Sequence, residues 1–305
     1  MSVQQWNELL VEPKGTGDDA AFAAWFDAIA RRLLCGTRLL VAGVPHRFTE
    51  VEIYYDGEPH LDPFTHRDPI QKHTGLWYFH RTAGVYRGGS FKGVDLTFGG
   101  PGAFGGVLIR GIEQDGGPLI DGPSLLVDHL LRTTGHDTVA ALDEAIAVRP
   151  GWDAGNPLRL EWLPELTDRP LLRTARVGLS LKRLRKSDVP PRYILRRYRY
   201  LSEPRRISKG KLHMVLALFA DGVPPAEIRA QTGCTKAAME RYIADYEEGR
   251  KETDFSGYFG IELGPKELAR LHGLWAAKFG EKKKVTTETQ RHREDRKGGQ
   301  LFLDL

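Results

Sequence analysis

Two carboxylates and an aromatic ring alternate along one short segment of the chain, RFTEVEIY. On a strand, successive side chains point to opposite faces, so Glu50, Glu52 and Tyr54 share one face while Val51 and Ile53 share the other. A carboxylate can take a proton from a positioned water, and a flat aromatic surface can hold a planar leaving group. This face therefore predicts a hydrolytic site, with an ordinary solvated strand face as the alternative.

The composition indicates a globular protein with one large domain and a smaller one. The chain has 305 residues, of which 41% are hydrophobic and 28% are charged, and this length exceeds one average domain. It contains no apolar run of the roughly twenty residues that span a bilayer and no secretion signal, so we expect a cytoplasmic protein without membrane contact. The two distant cysteines, Cys35 and Cys234, argue against a disulfide framework or a zinc ribbon.

Basic residues are concentrated between Leu181 and Lys211. This segment carries twelve lysines and arginines against only Asp188 and Glu203, and three tyrosines are interleaved with them. Phosphate neutralisation combined with stacking surfaces is typical of a nucleic-acid groove, whereas a merely solubilising face is the alternative. The arginines that we expect to contact DNA are Arg192, Arg196, Arg197 and Arg199.

Hydrophobic periodicity predicts both helices and strands in the first half of the chain. The predicted helices span 18–34, 121–131 and 138–147, and the predicted strands span 39–41, 48–55, 105–112 and 176–181. The strand over 105–112 contains one arginine, Arg110. Because burying a guanidinium is costly, Arg110 either pairs with an acidic neighbour or faces a site.

A region rich in glycine, proline and histidine, 56–102, separates two of these strands and predicts a long functional loop. Its four histidines are six or seven residues apart, a spacing that matches neither a metalloprotease helix nor a zinc finger. Its glycine-rich run, FGGPGAFGG, lacks the residues that complete a nucleotide-binding fingerprint. We therefore expect neither a metal ion nor a cofactor.

The residues after Lys211 have a different pattern. Three short helices are predicted over 212–221, 226–232 and 236–246, which is typical of a helix-turn-helix unit whose last helix enters the major groove. Lys236 and Arg241 are the expected DNA contacts of that helix. A three-helix module that binds another protein is the alternative.

Taken in order, these segments resemble the alkyladenine (3-methyladenine) DNA glycosylases over roughly the first 210 residues. The segments that carry the resemblance are IARRLLCGTRLLV, TEVEIYY, DPFTH, VLIRGIE, DGPSLLVDHL and RVGLS followed by PPRYILRRYRYLS. The resemblance implies a mixed α+β fold, in which helices surround a single antiparallel-rich curved sheet. It also implies an enzyme that removes bases from DNA.

The resemblance assigns three catalytic residues. Glu52 corresponds to the general base that activates water, and His66 to a histidine that helps to place the base and the water. Arg110 corresponds to a buried arginine near the water and the phosphate.

The resemblance also implies a pocket for a base that has been rotated out of the duplex. Tyr54 corresponds to an aromatic ring that stacks on this base, and Tyr86 is the candidate for a second one. Asp95 lies near a position where the family commonly has asparagine. The side chain that fills the gap in the duplex is expected somewhere in 77–91.

These residues predict a monofunctional, monomeric DNA glycosylase without a cofactor, associated with the nucleoid, that leaves an abasic site in double-stranded DNA containing a damaged or modified base. Excision of hypermodified phage bases as a defence is a narrower form of this hypothesis. One alternative is a non-catalytic DNA-binding regulator on the same scaffold. Another is a metal-dependent nuclease that uses the histidine-rich loop.

Three units are expected along the chain. They are a catalytic domain over 1–207, a helix-turn-helix unit over 208–250, and a weak helix over 265–279 with a flexible charged tail, together 251–305. Removal of the residues after Lys209 is expected to leave base excision intact.

Overall fold

A computed structural model describes residues 2–12, 17–182 and 191–280. Its helices are α1 (Ser2–Leu10), α2 (Asp19–Gly36), α3 (Pro123–Thr134), α4 (Val139–Ile146), α5 (Lys211–Ala220), α6 (Pro225–Thr232), α7 (Lys236–Gly249) and α8 (Pro265–Phe279). Its strands are β1 (Thr37–Val41), β2 (Val44–Gly57), β3 (His60–Leu61), β4 (Thr74–Phe79), β5 (Arg81–Thr82), β6 (Val85–Tyr86), β7 (Val94–Phe98), β8 (Phe104–Gln114), β9 (Leu119–Asp121), β10 (Leu158–Trp162), β11 (Leu172–Thr174) and β12 (Arg199–Leu201). Within these ranges, none of the helices has both the length and the apolar character to cross a membrane.

Ten of the described strands form one sheet. Its main path runs β10-β1-β2-β8-β7-β4; β3 and β12 also pair with β2, β9 pairs with β8, and β11 pairs with β12. The strand β2 is central because it pairs antiparallel with β1, β3, β8 and β12. The strands β5 and β6 form a separate hairpin. The prediction of a mixed α/β fold with a large antiparallel sheet and packed helices is therefore confirmed.

The alternation predicted for β2 is present. Val51, Ile53 and Tyr55 are buried in the main hydrophobic core, whereas Glu52 and Tyr54 lie on the opposite face of the strand. A bulge interrupts the pairing of β2 with β8 near Glu50. Bulges redirect side chains and bend the strands that contain them, and here the bulge lies beside the acidic face.

The helix α2 covers the apolar face of the sheet. It begins at Asp19 because the side chain of Asp18 accepts a hydrogen bond from the N–H of Ala21 at 2.8 Å, which satisfies one of the free amides of the first turn. Its Phe22 and Phe26 rings are buried in the same core as β2. The predicted helix is confirmed, and it ends at Gly36.

Two predicted elements are wrong. The region 56–102 is not one long loop, because it contains the sheet strands β4 and β7, of which almost all residues are buried. Strands buried on both faces lose the alternation that identifies a strand in a sequence. The predicted strand over 176–181 is irregular, because the N–H of Val177 donates to the side chain of Glu52 and Gly178 has a φ of +85°.

The helices α5 to α8 pack together and also against the sheet region. The turn between α6 and α7 contains Gly233, whose φ of +67° lies in the left-handed region that favours glycine. Leu271 and Leu274 of α8 share a buried cluster with Ile194 and Leu195, which precede β12. The expected boundary at residue 207 therefore passes through shared hydrophobic cores.

A pair of buried histidines joins α5 to α8. The Nδ1 atom of His213 lies 2.8 Å from Nε2 of His272. Burial lowers the pKa of His213 well below its usual value and lowers that of His272 to about 3. Both imidazoles are therefore neutral in the folded protein at pH 7.

We expect acid to destabilise the protein through this pair. The unfolded chain binds the proton near pH 6.5, so the stabilisation is complete above that pH and is lost as the pH falls towards 3. At pH 5 the loss from His272 alone is about 2 kcal/mol. Urea unfolding at pH 7.5 and pH 5 should show a smaller pH dependence in His272→Asn. The exposed His73→Gln variant is the control, and equal pH dependence in both variants would contradict this role.

Candidate active site

One row of side chains crosses the sheet on its polar face. Glu52 of β2 lies opposite Leu108 of β8, Leu108 lies opposite Asp95 of β7, and Asp95 lies opposite Tyr78 of β4. Directly paired residues place their side chains on the same face of a sheet. The structure therefore brings Glu52 and Asp95, which are far apart in sequence, onto one surface.

Glu52 is fully buried, and partners occupy both of its carboxylate oxygens. Oε1 accepts a hydrogen bond from the N–H of Val177 at 2.7 Å. Oε2 accepts one from the hydroxyl of Tyr54 at 2.9 Å and lies 3.4 Å from Nη1 of Arg110. The side chain has no exposed surface, so a water molecule can reach it only if one of these contacts opens.

Arg110 also binds Glu50. The sequence analysis expected Arg110 either to pair with an acidic residue or to face a site, and the structure shows the pairing. Its Nε donates to Oε1 of Glu50 at 2.6 Å, and Nε of Arg199 donates to the same oxygen at 2.6 Å. Although burial lowers the pKa of Arg110, the charges of Glu52 and Glu50 raise it further than burial lowers it. Arg110 therefore stays charged, and it joins the two carboxylates of β2.

This network is not completely hydrogen-bonded. Oε2 of Glu50 and Nη1 of Arg199 are buried and have no partner among the described residues. An unpaired buried polar atom costs free energy, so these two atoms reduce the stability that the network contributes.

A second buried arginine lies beneath Tyr54. The guanidinium carbon of Arg176 is 4.4 Å from the centre of the Tyr54 ring. Arg176 is fully buried and donates to the carboxylate of Asp62 at 2.5 Å and to the carbonyl of Ile53 at 3.1 Å. Burial and the charge of Glu52 raise the pKa of the Tyr54 phenol, so the ring is neutral and firmly oriented, although it remains partly exposed.

His66 belongs to a neighbouring group of rings. Its Nδ1 lies 3.1 Å from the hydroxyl of Tyr78, which itself accepts a hydrogen bond from the N–H of Arg81. With the Tyr78 hydroxyl as donor to Nδ1, Nε2 of His66 carries the proton. Burial, assisted by His80, lowers the pKa of His66 to about 4. At pH 7 His66 is a neutral hydrogen-bond donor.

Asp95 is oriented by two donors. Nε2 of His80 donates to its Oδ1 at 2.7 Å, and Nε2 of Gln71 donates to its Oδ2 at 3.1 Å. A Cβ atom on Gly106 would meet both the Asp95 carboxylate and the Gln71 amide, so this glycine leaves room for their contact. The rings of His80 and His66 lie 4.2 Å apart, which links Asp95 to His66.

Tyr86 does not join this set. Its hydroxyl donates to Asp143 of α4 at 2.6 Å, and the guanidinium of Arg81 lies over its ring at 4.5 Å. The hydroxyl and one face of the ring are therefore occupied on the side of α4. The prediction that Tyr86 stacks on a base is not supported by this position.

A cleft of about 450 Å³ adjoins the rings. Its lining residues are Asp68, Pro69, Ile70, His73, Leu76, Arg81 and Val148. The volume falls within the usual range of small-molecule pockets. Glu52, Tyr54, His66 and Arg110 do not line this cleft.

The predicted DNA contacts differ in their surroundings. Arg192 and Arg196 both bind the carboxylate of Asp19, and Arg197 binds Asp221 at 2.8 Å. All three retain some exposure.

Arg199 is the exception, because it is fully buried against Glu50. Its assignment as a phosphate contact is therefore corrected. Three other basic residues of this segment, Arg183, Arg185 and Lys186, lie outside the described residues.

On α7, Lys236 and Arg241 are both exposed. Lys236 lies 3.8 Å from Glu240, and the guanidinium of Arg241 lies 5.7 Å from the centre of the Tyr242 ring. Both side chains remain accessible to a ligand.

The sequence did not single out several residues of the site: Asp62, Gln71, Tyr78, His80 and Arg176. Arg176, like Arg110, is an arginine in a mostly apolar segment, and this pattern could have identified it. The remaining ones had no local signal, because their roles depend on pairing between distant strands. Within the described residues, no group of three or more histidine, cysteine or acidic side chains is arranged to hold a metal ion.

Part of this chain is similar to a viral protein. No family model matches the chain. An uncharacterized protein of Acanthamoeba polyphaga mimivirus is 28% identical over 186 residues, which cover 56% of this chain and 86% of the viral protein. Because that protein has no described activity, the similarity brings no function with it.

The buried Arg199 and the partly exposed Arg192 should differ strongly in how much they contribute to the free energy of unfolding. Replacing Arg199 by methionine leaves the Glu50 charge buried with one partner fewer, for which we expect a loss of about 3–5 kcal/mol. The control is Arg192→Met, which removes a partly exposed ion pair and should cost about 1 kcal/mol or less. Urea unfolding measures both values. Similar small losses would mean that Arg199 does not hold the buried network together.

Proposed function

We propose that this protein is a DNA glycosylase similar to the alkyladenine family. One observation carries the proposal: Glu52, Tyr54 and Arg110 lie in direct contact, although Arg110 is 58 residues from Glu52 in sequence. These are the residues to which the resemblance assigned the base, the stacking ring and the buried arginine. His66, the fourth of them, is a neutral donor beside the same face of the sheet.

The proposed reaction is hydrolysis of the bond between a base and its sugar. Breaking this bond leaves positive charge on the sugar, which the carboxylate of Glu52 stabilises while it takes a proton from the attacking water. Tyr54 stacks on the base, and Nε2–H of His66 donates to the leaving base. The residues provide these steps without a cofactor, and the product is an abasic site.

A base inside a duplex must be rotated out before these groups can reach it. The hairpin β5–β6 is suited to fill the gap. It turns through Ala83 and Gly84, which have φ values of +48° and +80°, and it holds Val85 with 71% of its surface exposed. Phe91, 74% exposed, lies shortly after it in the sequence. Both are apolar wedges of the kind that enter between base pairs.

The helices α6 and α7 are proposed as a helix-turn-helix that makes a second contact with DNA. A short turn with a left-handed glycine, Gly233, joins them, as is usual for this motif. Lys236 and Arg241 are exposed on α7. The ion pairs of Arg192, Arg196 and Arg197 would be exchanged for phosphate contacts when DNA binds.

Glu52 must become accessible to water before it can act as the general base. In free enzymes, catalytic hydrogen bonds often rearrange when the substrate binds. Binding of a flipped nucleotide would have to draw the Tyr54 hydroxyl away from Oε2 of Glu52 and let the water in. The proposal therefore includes a movement of Tyr54.

Replacing Glu52 should abolish excision. We expect Glu52→Gln to lower the single-turnover rate by a factor of about 100 or more, because the general base is lost. The assay incubates the protein with duplexes containing alkylated, deaminated or hypermodified bases and then cleaves abasic sites with alkali. Glu113→Gln, a change in a partly exposed ion pair on β8, is the matched control and should retain activity. Excision that persists in Glu52→Gln would contradict the role of Glu52 as the general base.

A second candidate is a non-catalytic regulator that binds DNA on the same scaffold. The saturation of both Glu52 oxygens by buried partners favours it, because such a carboxylate can be purely structural. Retained duplex binding with no alkali-labile site on any substrate would support the regulator. Release of a hypermodified phage base would instead support the defence form of the glycosylase.

Neutralising exposed arginines should weaken the salt dependence of DNA binding. Each lost phosphate contact lowers the slope of log K against log salt by about 0.9. Arg196→Gln combined with Arg197→Gln should therefore reduce the slope by about 2. The control is Arg38→Gln, an exposed arginine that pairs with Glu161 at 3.7 Å on β10. An unchanged slope in the double variant would exclude this surface.

A further inference from the structure

Arg192 and Arg196 share one carboxylate at the start of α2. Nη2 of each arginine donates to the same oxygen, Oδ2 of Asp19, and Asp19 lies in the first turn of this helix. Arg197 differs, because its Nη1 binds both oxygens of Asp221, at 2.9 Å and 2.8 Å. Arg197 therefore has a carboxylate of its own, whereas Arg192 and Arg196 have one between them.

The shared carboxylate leaves part of this arginine pair without an acceptor. Nε of Arg196 is buried and has no hydrogen-bond partner among the described residues. A guanidinium has five N–H donors in one plane, and it often binds two oxygens of one phosphate group side by side. Arg196 thus has hydrogen-bonding capacity that Asp19 does not use.

The backbone that carries these arginines is held in place by its neighbours. Nε1 of Trp275 on α8 donates to the carbonyls of Pro191 and Arg192, at 3.1 Å and 3.0 Å. The hydroxyl of Tyr193 accepts a hydrogen bond from the N–H of Leu61 at 3.1 Å. Both guanidinium groups nevertheless retain partial exposure. An anion that binds them therefore meets groups that are already positioned, which lowers the entropic cost of binding.

The charges around the arginine pair cancel in the free protein. Asp18 and Asp19 line one small cleft together with Arg192, so two carboxylates lie close to the two guanidinium groups. Asp18 is held in place as the cap of α2, whereas the side chain of Asp19 is 36% exposed and its carboxylate is hydrated when it turns away. A phosphate gains net attraction here when Asp19 releases the arginines.

From this arrangement we infer that Asp19 competes with DNA: in the free protein its carboxylate occupies the place that a backbone phosphate takes between Arg192 and Arg196. This role rests on the DNA binding proposed above and adds a restraint to it. A phosphate must displace Asp19 before it binds both arginines, so the contact is weakened in duplexes of any sequence. The ligand is the phosphodiester backbone, and Asp19 is an autoinhibitory residue.

Binding of the full-length protein to an unmodified duplex, measured by fluorescence anisotropy, tests this competition. We expect Asp19→Asn to tighten binding by about threefold to tenfold, the range for displacing one or two partly exposed ion pairs. The matched control is Glu161→Gln, which also removes one negative charge from a partly exposed ion pair, with Arg38 on β1. It should change binding by about twofold or less, because only the net charge changes. An equal gain in both variants would overturn the inference.

A double-mutant cycle separates local competition from a general gain in positive charge. In a protein that carries Arg192→Gln and Arg196→Gln, Asp19→Asn should tighten binding no more than Glu161→Gln does, because no arginine is left for Asp19 to release. A gain of the original size in this background would overturn the inference, while DNA binding itself would stand. If neither the unaltered protein nor Asp19→Asn binds any duplex at low salt, the proposed function fails as well. Asparagine has the size of aspartate and Asp18 still caps α2, so the variant should fold, which its melting temperature checks.

Discussion

The structure depends on a buried carboxylate, Glu50, that receives two guanidinium groups at the centre of the sheet. Arg110 from β8 and Arg199 from β12 each donate to the same oxygen at 2.6 Å. Taking these charges out of water is unfavourable, and apolar packing of similar volume would often be at least as stable. The network therefore contributes orientation more than stability. It fixes the strands on either side of β2 and thereby the position of Glu52.

The polar face is organised by charges rather than by apolar packing. Arg176 lies under Tyr54, Arg110 lies beside Glu52, and the Asp95–His80 pair lies beside His66. Each of these contacts is buried, where the low dielectric strengthens it. Any movement of Tyr54 away from Glu52 must break hydrogen bonds of this face and therefore costs free energy.

Local patterns predicted those parts of the fold whose signal lies within a few residues. The alternation of β2, the cap of α2 and the periodic helices near residues 211–279 are of this kind, and all are present. The strands β4 and β7 were missed because they are buried on both faces. Their aromatic and apolar residues do not alternate with polar ones, so the sequence has no pattern there from which a strand could be predicted.

The sequence could suggest which residues belong together but not what surrounds them. The resemblance grouped Glu52, Tyr54 and Arg110, and the structure places them in contact, while their roles stay predictions. Arg199 was grouped with the phosphate contacts because of its charge, yet it is buried against Glu50, which is 149 residues away. This error arises from an acidic partner that a count of local charge does not include.

The contact between Arg199 and Lys209, just before α5, has a consequence for the carboxy-terminal helices. Nη2 of Arg199 donates to the backbone carbonyl of Lys209 at 2.9 Å, and α8 covers apolar side chains that precede β12. The carboxy-terminal helices are thus part of the foundation under the acidic strand, and they are not an accessory attached to a finished domain. Truncation after Lys209 would therefore expose the apolar side chains of Ile194 and Leu195 that α8 covers.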